Sequence, residues 1–447
     1  MFSSSLNIAR RTVCCLLAGM AFVGVQAQRP SDYRQQAHDS LVSDHRIIYM
    51  GDGTTQPSAE ESRKLIEQFY IDQFENTRQP SAPYFLFMSR DSNFAMGIGG
   101  DVRVRGYFDP GNSMPSSSFS PYDIPMERTE LNRNHLGTSP SGTALYFRVI
   151  GRNKKMGNYS VYIKAKFNGG SGKDFKLNKA YATINDWTLG YATSTFSDGA
   201  AEPPTVDANG TTLGMDYTTL LVRYLHSFGK SGISIAGSVE TPSLAFKPDV
   251  LADGTDAAVE RSQSVPDLAA MVQYSWASGQ HVRLSGIMRW LPYRNMVNST
   301  NHTPIGFGLQ LSAVASPIRE LILYGTFNIG RSYTNNGGDF LLGKYDLVAN
   351  PALEGGMKTI PAWSYVLGFS YYFSHKLFTT VSFGQARVTS SKLSDQYKYG
   401  LYGAVNLFYN LTPRIQFGGE FNFGKRMEFS GDHAYARRIS AMAQFSF

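Results

Sequence analysis

Arginine and lysine recur at every second position in several stretches of the sequence, and this is its clearest chemical signal. Arg103 and Arg105, for example, alternate with Val102 and Val104. Residues two apart lie on one face of a β-strand, so such a stretch would have a cationic face and an apolar face. Guanidinium and ammonium groups attract carboxylates and phosphates, and arginine can hold either anion through two hydrogen bonds. The candidate basic site comprises Arg103, Arg105, Arg148, Lys164, Lys166, Arg223, Arg283 and Arg289.

An acidic segment, 197–214, complements these cations, because it contains Asp198, Glu202 and Asp207. A basic wall that faces an acidic loop across water sets up a transverse field, which orients dipolar solutes. The alternative is that the cations only pair with acids and keep an interior surface wet. The eight histidines are scattered without the spacing of a metal site. The sequence therefore predicts no metal, no cofactor and no catalytic residue.

Composition excludes several classes of protein. The chain has 447 residues and a formal net charge of +7, yet only 17% of its residues are charged, while Gly, Tyr and Phe are abundant. These values argue against a disordered chain or a coiled coil. A mean hydropathy of −0.24 argues against a bundle of membrane helices. The positive charge is spread through the alternating stretches and does not cluster with aromatic residues, which argues against a nucleic-acid partner.

From Phe94 to Phe447, apolar and polar residues alternate with period two in one segment after another. Most of these segments are longer than the ~5–6 residues of an ordinary strand and close to the ~9–11 residues that cross a bilayer on a tilt. The predicted strands, sixteen in number, are 94–108, 143–151, 158–168, 174–185, 187–196, 215–228, 231–241, 266–277, 280–291, 305–316, 319–333, 362–374, 376–388, 398–410, 412–424 and 435–447. Between Lys173 and Asp186 the apolar residues change phase, which predicts a β-bulge.

The connections between these strands alternate in length. Short links such as 185–186 and 374–376 separate long ones, and the long ones are 109–142, 197–214, 242–265, 292–304 and 334–361. Tight turns at one rim and long loops at the other are typical of outer-membrane barrels, in which the apolar phase faces lipid and the polar phase lines water. The sequence therefore predicts an all-β fold, a 16-stranded antiparallel transmembrane β-barrel over 94–447, in preference to a soluble sandwich.

The N-terminus has the pattern of a secretory signal. Arg10 and Arg11 precede an apolar run over 13–25, and Val25-Gln26-Ala27 is a small-x-small cleavage pattern. We therefore predict a signal peptide over 1–27.

Residues 28–93 are predicted to form a periplasmic segment with one short amphipathic helix over about 59–78. The basis is a capping box at 58–61, which is followed by apolar residues at helical spacing. At the opposite end of the chain, Phe445 and Phe447 make an aromatic carboxy terminus of the kind that the outer-membrane assembly machinery reads.

Two stretches resemble the DcaP-like outer-membrane porins. One runs from Pro83-Tyr84-Phe85 through Asn93-Phe94-Ala95-Met96-Gly97-Ile98-Gly99-Gly100 into the first strand. The other runs from Leu189 to Asp198 and is followed by Pro203, Asp207 and Gly210. The resemblance covers roughly 58–447. It implies a trimeric sixteen-stranded channel in which the loop after the second stretch folds into the pore.

The sequence thus predicts an outer-membrane porin of a Gram-negative bacterium, a passive channel for small hydrophilic solutes that prefers anions such as dicarboxylates. Its partners would be outer-membrane lipid and lipopolysaccharide, the assembly machinery and, through the resemblance, further copies in a homotrimer. One alternative is a barrel enzyme such as a lipase or protease, with His433 as the candidate for a Ser–His pair near the outer rim. Another is a structural or adhesive surface protein, which would carry large apolar residues inward. The water-facing phase of the predicted strands does not show such residues.

Overall fold

The computed structural model describes residues 46–51, 71–72, 77–78, 85–90, 93–127, 130, 133–153, 155, 157–167, 174–214, 217–277, 279–333, 337–389 and 396–447. The predicted signal peptide over 1–27 lies outside the described residues, and so does most of the predicted segment 28–93.

The described chain is built almost entirely of strands. They are β1 (Arg46–Met50), β2 (Ile71–Asp72), β3 (Thr77–Arg78), β4 (Phe85–Ser89), β5 (Phe94–Asn112), β6 (Arg133–Ser139), β7 (Ala144–Asn153), β8 (Gly157–Phe167), β9 (Phe175–Ile184), β10 (Trp187–Thr193), β11 (Thr218–Ser227), β12 (Ile233–Glu240), β13 (Phe246–Lys247), β14 (Ala258–Glu260), β15 (Asp267–Ala277), β16 (Gln280–Trp290), β17 (Tyr293–Asn295), β18 (Asn301–His302), β19 (Ile305–Ile318), β20 (Leu321–Arg331), β21 (Leu347–Ala349), β22 (Met357–Thr359), β23 (Pro361–Tyr372), β24 (Leu377–Val388), β25 (Tyr397–Thr412), β26 (Ile415–Glu428) and β27 (His433–Ser446). One short α-helix, α1 (Gly338–Leu342), lies in a loop between strands.

Sixteen of these strands pair edge to edge and close into a barrel, which confirms the prediction from alternation. The ring runs β5, β7, β8, β9, β10, β11, β12, β15, β16, β19, β20, β23, β24, β25, β26 and β27. All sixteen neighbours pair antiparallel, and β27 returns to pair with β5 between Asp101 and Phe108. Closure leaves no free edge, which an open sheet of this size would expose to other chains.

The described part of the N-terminal segment adds strands to the barrel wall. β4 pairs antiparallel with β5, and β1 pairs parallel with β4. The predicted helix over 59–78 is wrong at its end, because β2 and β3 pair antiparallel through Ile71 and Arg78. Aromatic and β-branched residues such as Tyr70 and Ile71 suit a strand as well as a helix, so spacing alone could not decide. The remainder of that helix, 59–70, lies outside the described residues.

Side chains sort by phase along each barrel strand. Outward residues are apolar and exposed, as shown by Val104 at 58%, Leu189 at 62% and Ile439 at 53%. Inward residues are mostly polar or small. An apolar outer face of this kind meets lipid in a transmembrane barrel. In the described part of the chain, no helix combines the length and apolarity that a membrane-spanning helix requires.

The bulge predicted between Lys173 and Asp186 is present. Lys164 on β8 faces Lys179 on β9, whereas Ala165 faces Leu177, so Asn178 is an extra residue. The bulge turns Leu177 outward, where it is 54% exposed, and aligns Lys179 with Lys164. A β-bulge commonly redirects a side chain in this way.

The carboxy terminus completes the barrel at Gly100. The Phe447 amide donates to the Gly100 carbonyl, and the Gly100 amide donates to the Phe447 carbonyl, each at 2.9 Å. A Cβ on residue 100 would lie only 2.9 Å from the Phe447 ring. Both closing hydrogen bonds and this ring contact depend on the last residue.

Deleting Phe447 is therefore expected to lower the fraction of folded barrel in the outer membrane several-fold. The fraction is read as the faster-migrating band of unboiled sample on a denaturing gel. Phe421→Ala is the control, because Phe421 is an outward ring, 44% exposed, that has no part in closure. Equal folded fractions for the deletion and the control would contradict this role of Phe447.

Candidate functional site: the barrel lumen

Loop 194–217, which connects β10 to β11, folds into the barrel and divides its lumen. Ala201 of the loop packs against Val314 on β19. Further along, Val206 packs against Met442 on β27. The loop therefore lines the inner wall from β12 round to β5 and leaves the sector from β7 to β11 uncovered.

The part of loop 194–217 around Asp207 is fixed to the wall by Arg105. Its Nη1 lies 2.9 Å from Asp207 Oδ2, and both side chains are 1% exposed. The same carboxylate oxygen accepts the Phe119 amide at 2.8 Å. Nearby, Glu420 on β26 accepts the Val206 amide at 2.7 Å. Asp207 therefore holds the loop against the wall, and its side chain does not face water.

The start of loop 194–217 is fixed to the wall by Asp198, which lies in a second buried cluster. His281 Nε2 lies 2.9 Å from Asp198 Oδ2, and Arg283 Nη1 lies 3.7 Å from Oδ1, with no side chain exposed. Arg283 also donates to the Ser197 carbonyl at 2.9 Å. Burial alone would raise the pKa of Asp198, but Arg283 and His281 outweigh it and hold that pKa below its usual range.

A third buried cluster docks loop 332–360. Arg289 on β16 donates to Asp346 at 2.6 Å and to Asp267 at 3.1 Å. Arg289 and Asp346 are both fully buried. Arg289 also donates to the Ser332 carbonyl at 3.0 Å, so one guanidinium joins the loop to the wall. Breaking such a pair by removing one partner typically costs about 3–5 kcal/mol.

Apolar side chains fill the lumen beside these clusters, contrary to expectation. Phe119 and Ile124 come from loop 113–132, and Tyr333 and Phe340 come from loop 332–360; all four are at most 1% exposed. They pack against small inward residues such as Ala404. The prediction considered only the water-facing phase of the strands, whereas these side chains come from loops that fold inward.

Three inward loops meet at Asp339, in the first turn of helix α1. Its carboxylate accepts Ser120 Oγ at 2.8 Å, Thr212 Oγ1 at 3.0 Å and the Tyr397 hydroxyl at 2.8 Å. Ser120 belongs to loop 113–132, Thr212 to loop 194–217 and Tyr397 to the wall. Burial raises the pKa of Asp339 to about 6, despite these hydrogen bonds.

Inward glycines make room for the loops. A Cβ on Gly368 would lie 2.5 Å from Pro203, and a Cβ on Gly424 would lie 2.7 Å from the Phe119 ring. Gly384 meets Leu213 in the same way, at 3.1 Å. Any side chain at Gly368 or Gly424 would collide with the loop that packs there.

The uncovered sector, β7 to β11, borders an open cavity in the lumen. Its lining is polar and mostly basic, and the residues are Arg148, Ser160, Lys179, Tyr181, Thr183, Asp186, Thr188, Ala192, Thr193, Arg223 and Leu225. Three cations stand against one acid, and that acid, Asp186, already lies 2.8 Å from His226 Nδ1. The free lumen is therefore bordered by a net positive wall.

Cations lie next to one another on this wall. Lys164 on β8 and Lys179 on β9 are direct cross-strand partners. Arg148 on β7 is paired with Tyr162, which is the next residue on the same face of β8 as Lys164. The Arg148 guanidinium carbon lies 5.9 Å from the centre of the Tyr162 ring. Like charges directly opposite each other on a sheet face are destabilising. An anion between them would relieve this repulsion.

The predicted basic residues divide into two groups. Arg105, Arg223, Arg283 and Arg289 are buried, at 3% exposed or less, and do not form an open water-facing wall as expected. Arg105, Arg283 and Arg289 each pair with an acid, which agrees with the alternative interpretation of the sequence, that the cations serve to pair with acids. Arg223 donates to the Thr193 carbonyl at 3.0 Å and borders the cavity.

The second group is Arg103, Arg148, Lys164 and Lys166, all half-buried. Arg148, Lys164 and Lys166 lie together on β7 and β8, whereas Arg103 donates to the Thr205 and Val206 carbonyls of loop 194–217. Among the predicted loop acids, Glu202 is half-buried, and Asp198 and Asp207 are buried. Asp198 and Asp207 therefore anchor the loop, while Arg148, Lys164 and Lys166 lie on the opposite wall.

Lys179 was not predicted from the sequence, because the apolar phase is ambiguous next to the bulge at Asn178. Arg438 lies inward, as its phase in the last predicted strand indicates, but it is fully buried. It donates to both carboxylate oxygens of Asp109 on β5 at 2.6 and 2.8 Å and to the Ser117 carbonyl at 2.6 Å, and so fixes the start of loop 113–132. His433, the candidate for an enzyme, faces outward and lies with its ring 5.4 Å from that of Tyr435.

No protein-family profile and no curated protein matches the chain. Solved outer-membrane channels do match its structure. The outer membrane channel DcaP of Acinetobacter baumannii has a TM-score of 0.65 at 18% identity, over 81% of this chain and 99% of that one. An anion-selective porin from Comamonas acidovorans has a TM-score of 0.50 at 10% identity, over 79% and 100%. OmpF of Salmonella typhi, solved with daunomycin, has a TM-score of 0.50 at 11% identity, over 80% and 98%.

These similarities establish the fold. The chain has the sixteen-stranded barrel of the outer-membrane porins, and it is most like DcaP among the three structures named here. With its apolar outer face, this fold belongs to the outer membrane of Gram-negative bacteria.

Proposed function

We propose that the protein is a passive diffusion channel for small hydrophilic solutes that prefers anions, with dicarboxylates as the favoured class. It performs no chemistry and uses no cofactor. Solutes pass between loop 194–217 and the wall formed by β7 to β11. In the outer membrane it would assemble as a homotrimer, as the resemblance to DcaP-like porins implies.

The observation that carries this proposal is the cross-strand pair Lys164–Lys179 with Arg148 beside it. Two of the three loop acids, Asp198 and Asp207, are buried against arginines on the other side and therefore do not neutralise this wall. Several partly exposed cations in succession attract an anion without holding it in one deep site, which is what conduction requires. One similar structure is described as an anion-selective porin.

Dicarboxylate flux tests the proposal. In liposome swelling assays, succinate is expected to enter several-fold faster than a diamine of similar size. Lys164→Gln with Lys179→Gln should reduce this preference several-fold, because two charges are removed while polar bulk remains. The matched control is Lys247→Gln with Lys376→Gln, two exposed lysines in the short strand β13 and in a turn.

Two outcomes would contradict the proposal. Equal entry of succinate and the diamine would remove the anion preference while leaving a general porin. Failure of the folded protein to pass any small solute would favour the structural alternative, a barrel closed by its loops.

A further inference from the structure

A patch of cations lies on the outside of the barrel at its loop-bearing rim. It comprises Arg387 on β24, Lys425 on β26 and Arg437 on β27, each in the outward phase of its strand. Lys425 is paired with Tyr435, and the neighbouring pair is Phe423 with Arg437. With strands ~4.8 Å apart, the three charges fall within one headgroup-sized area.

Tyrosines hold the cations in place. Lys425 Nζ lies 5.7 Å from the centre of the Tyr399 ring and 5.5 Å from that of Tyr435. The Arg387 guanidinium carbon lies 5.7 Å from the centre of the Tyr399 ring. Cation–π contacts of this kind orient a charge without neutralising it. Tyrosine is also the residue that marks the membrane–water interface.

No carboxylate accompanies these cations on the described outward face. The described outward residues of β23 to β27 include no Asp or Glu, and none of the three cations forms a salt bridge with a described residue. Glu428 and Asp432, two described acids at this rim, bond to Arg426 and Ser430 instead. Within the part of the chain that the structure describes, the patch is therefore a concentration of positive charge.

The outward cations are concentrated in one sector of the rim. From β10 to β19, outward residues near the same rim are uncharged, for example Leu220, Val239 and Met288, whereas Arg331 on β20 is a further exposed outward cation two strands from Arg387. Directly below the patch the wall is apolar, with Phe421 at 44% and Val405 at 51% exposed. An Arg or Lys that faces lipid is costly at mid-membrane but costs little near the interface. The level of the patch is therefore where lipid phosphates lie.

We propose that this patch binds the phosphate groups of lipopolysaccharide in the outer leaflet. The arginines can hold phosphate through paired hydrogen bonds, and Lys425 adds a point charge. The apolar wall below it would contact the acyl chains of the same molecule. The proposal rests on the outer-membrane location in the proposed function but not on solute transport.

Binding of lipid A to the purified full-length protein in detergent, with a chelator present, tests the proposal by native mass spectrometry. The wild type is expected to retain lipid A. The triple variant Arg387→Gln, Lys425→Gln, Arg437→Gln is expected to bind it at least tenfold more weakly, with unchanged channel conductance. The control Lys247→Gln, Lys344→Gln, Lys376→Gln removes the same charge from three exposed positions away from the patch and should bind as the wild type does.

Lipid A stripped of its phosphates separates phosphate recognition from packing of acyl chains. Equal affinity for both forms of lipid A, or undiminished binding by the outer triple variant, would overturn the proposal. Equal loss in the two triple variants would also overturn it, because net charge alone would then explain binding. Failure of anion selectivity in the channel would leave this result unaffected.

Discussion

Asp346→Asn is expected to raise the single-channel conductance about two-fold or more and to make the current noisy. The substitution keeps the size of the side chain but leaves the fully buried Arg289 with only Asp267 as a charged partner among the described residues. The resulting cost, about 3–5 kcal/mol, falls on the docked state of loop 332–360. The barrel strands keep their ladder hydrogen bonds, so the wall should stay folded while the loop leaves the lumen.

The conductance change has a structural counterpart that can be measured separately. Trypsin should cleave after Lys344, in the released loop, several-fold faster in Asp346→Asn than in the wild type. Asp253→Asn is the control, since Asp253 is an exposed loop acid that bonds only to Thr255 among the described residues. Unchanged conductance with unchanged proteolysis would show that Arg289 does not hold the loop in place.

Acid is expected to favour the closed arrangement of the loops, because Asp339 lies where three of them meet. Burial raises its pKa to about 6, against about 3.9 for a carboxyl in water. A raised pKa in the closed state means that protonation stabilises closure. This stabilisation, about 3 kcal/mol for such a shift, is complete below about pH 4 and is lost as the pH rises through about 6.

Mean conductance should therefore be several-fold lower at pH 4.5 than at pH 7.5, measured in planar bilayers. Asp339→Asn imitates the protonated carboxyl and should hold the conductance low at both values. Beside Asp339 lie the rings of Tyr122, Tyr345 and Tyr397, which contact one another. The other charged groups around these rings are Asp123, Arg426 and Glu428. Asp123, whose pKa burial also raises, is tested separately with Asp123→Asn. A pH response that survives in Asp339→Asn would assign it to another group.

The barrel was predictable from sequence because its strands obey a single rule. Each of the sixteen strands alternates over enough residues for the phase to be read, and outward residues such as Val104 and Ile439 are exposed as predicted. The rule weakens where the phase shifts, and Lys179 was missed for that reason. It also does not apply to 71–78, where apolar residues suit either helix or strand.

Local pattern could not reveal which lumenal cations meet a loop. Arg105 and Lys164 occupy equivalent phases, yet Arg105 is buried against Asp207 while Lys164 is half-buried on the uncovered wall. The difference depends on the path of loop 194–217, which is fixed by contacts distant in sequence. One signal was present: inward glycines such as Gly368 and Gly424 are clustered on β23 to β26, where the loops pack.

The reversal potential of the wild-type channel in a KCl gradient tests the central claim most directly. The salt concentrations on the two sides of the membrane would differ about tenfold. Because the wall from β7 to β11 borders the free side of the lumen, the permeability to anions should exceed the permeability to cations. The ratio of the two permeabilities should be larger at low salt, where the screening length is longer. Substituting Arg148, Lys164 and Lys179 together with Gln should bring the ratio close to unity. A cation-selective wild type, or anion selectivity that survives this triple change, would contradict the assignment of the pore to that wall.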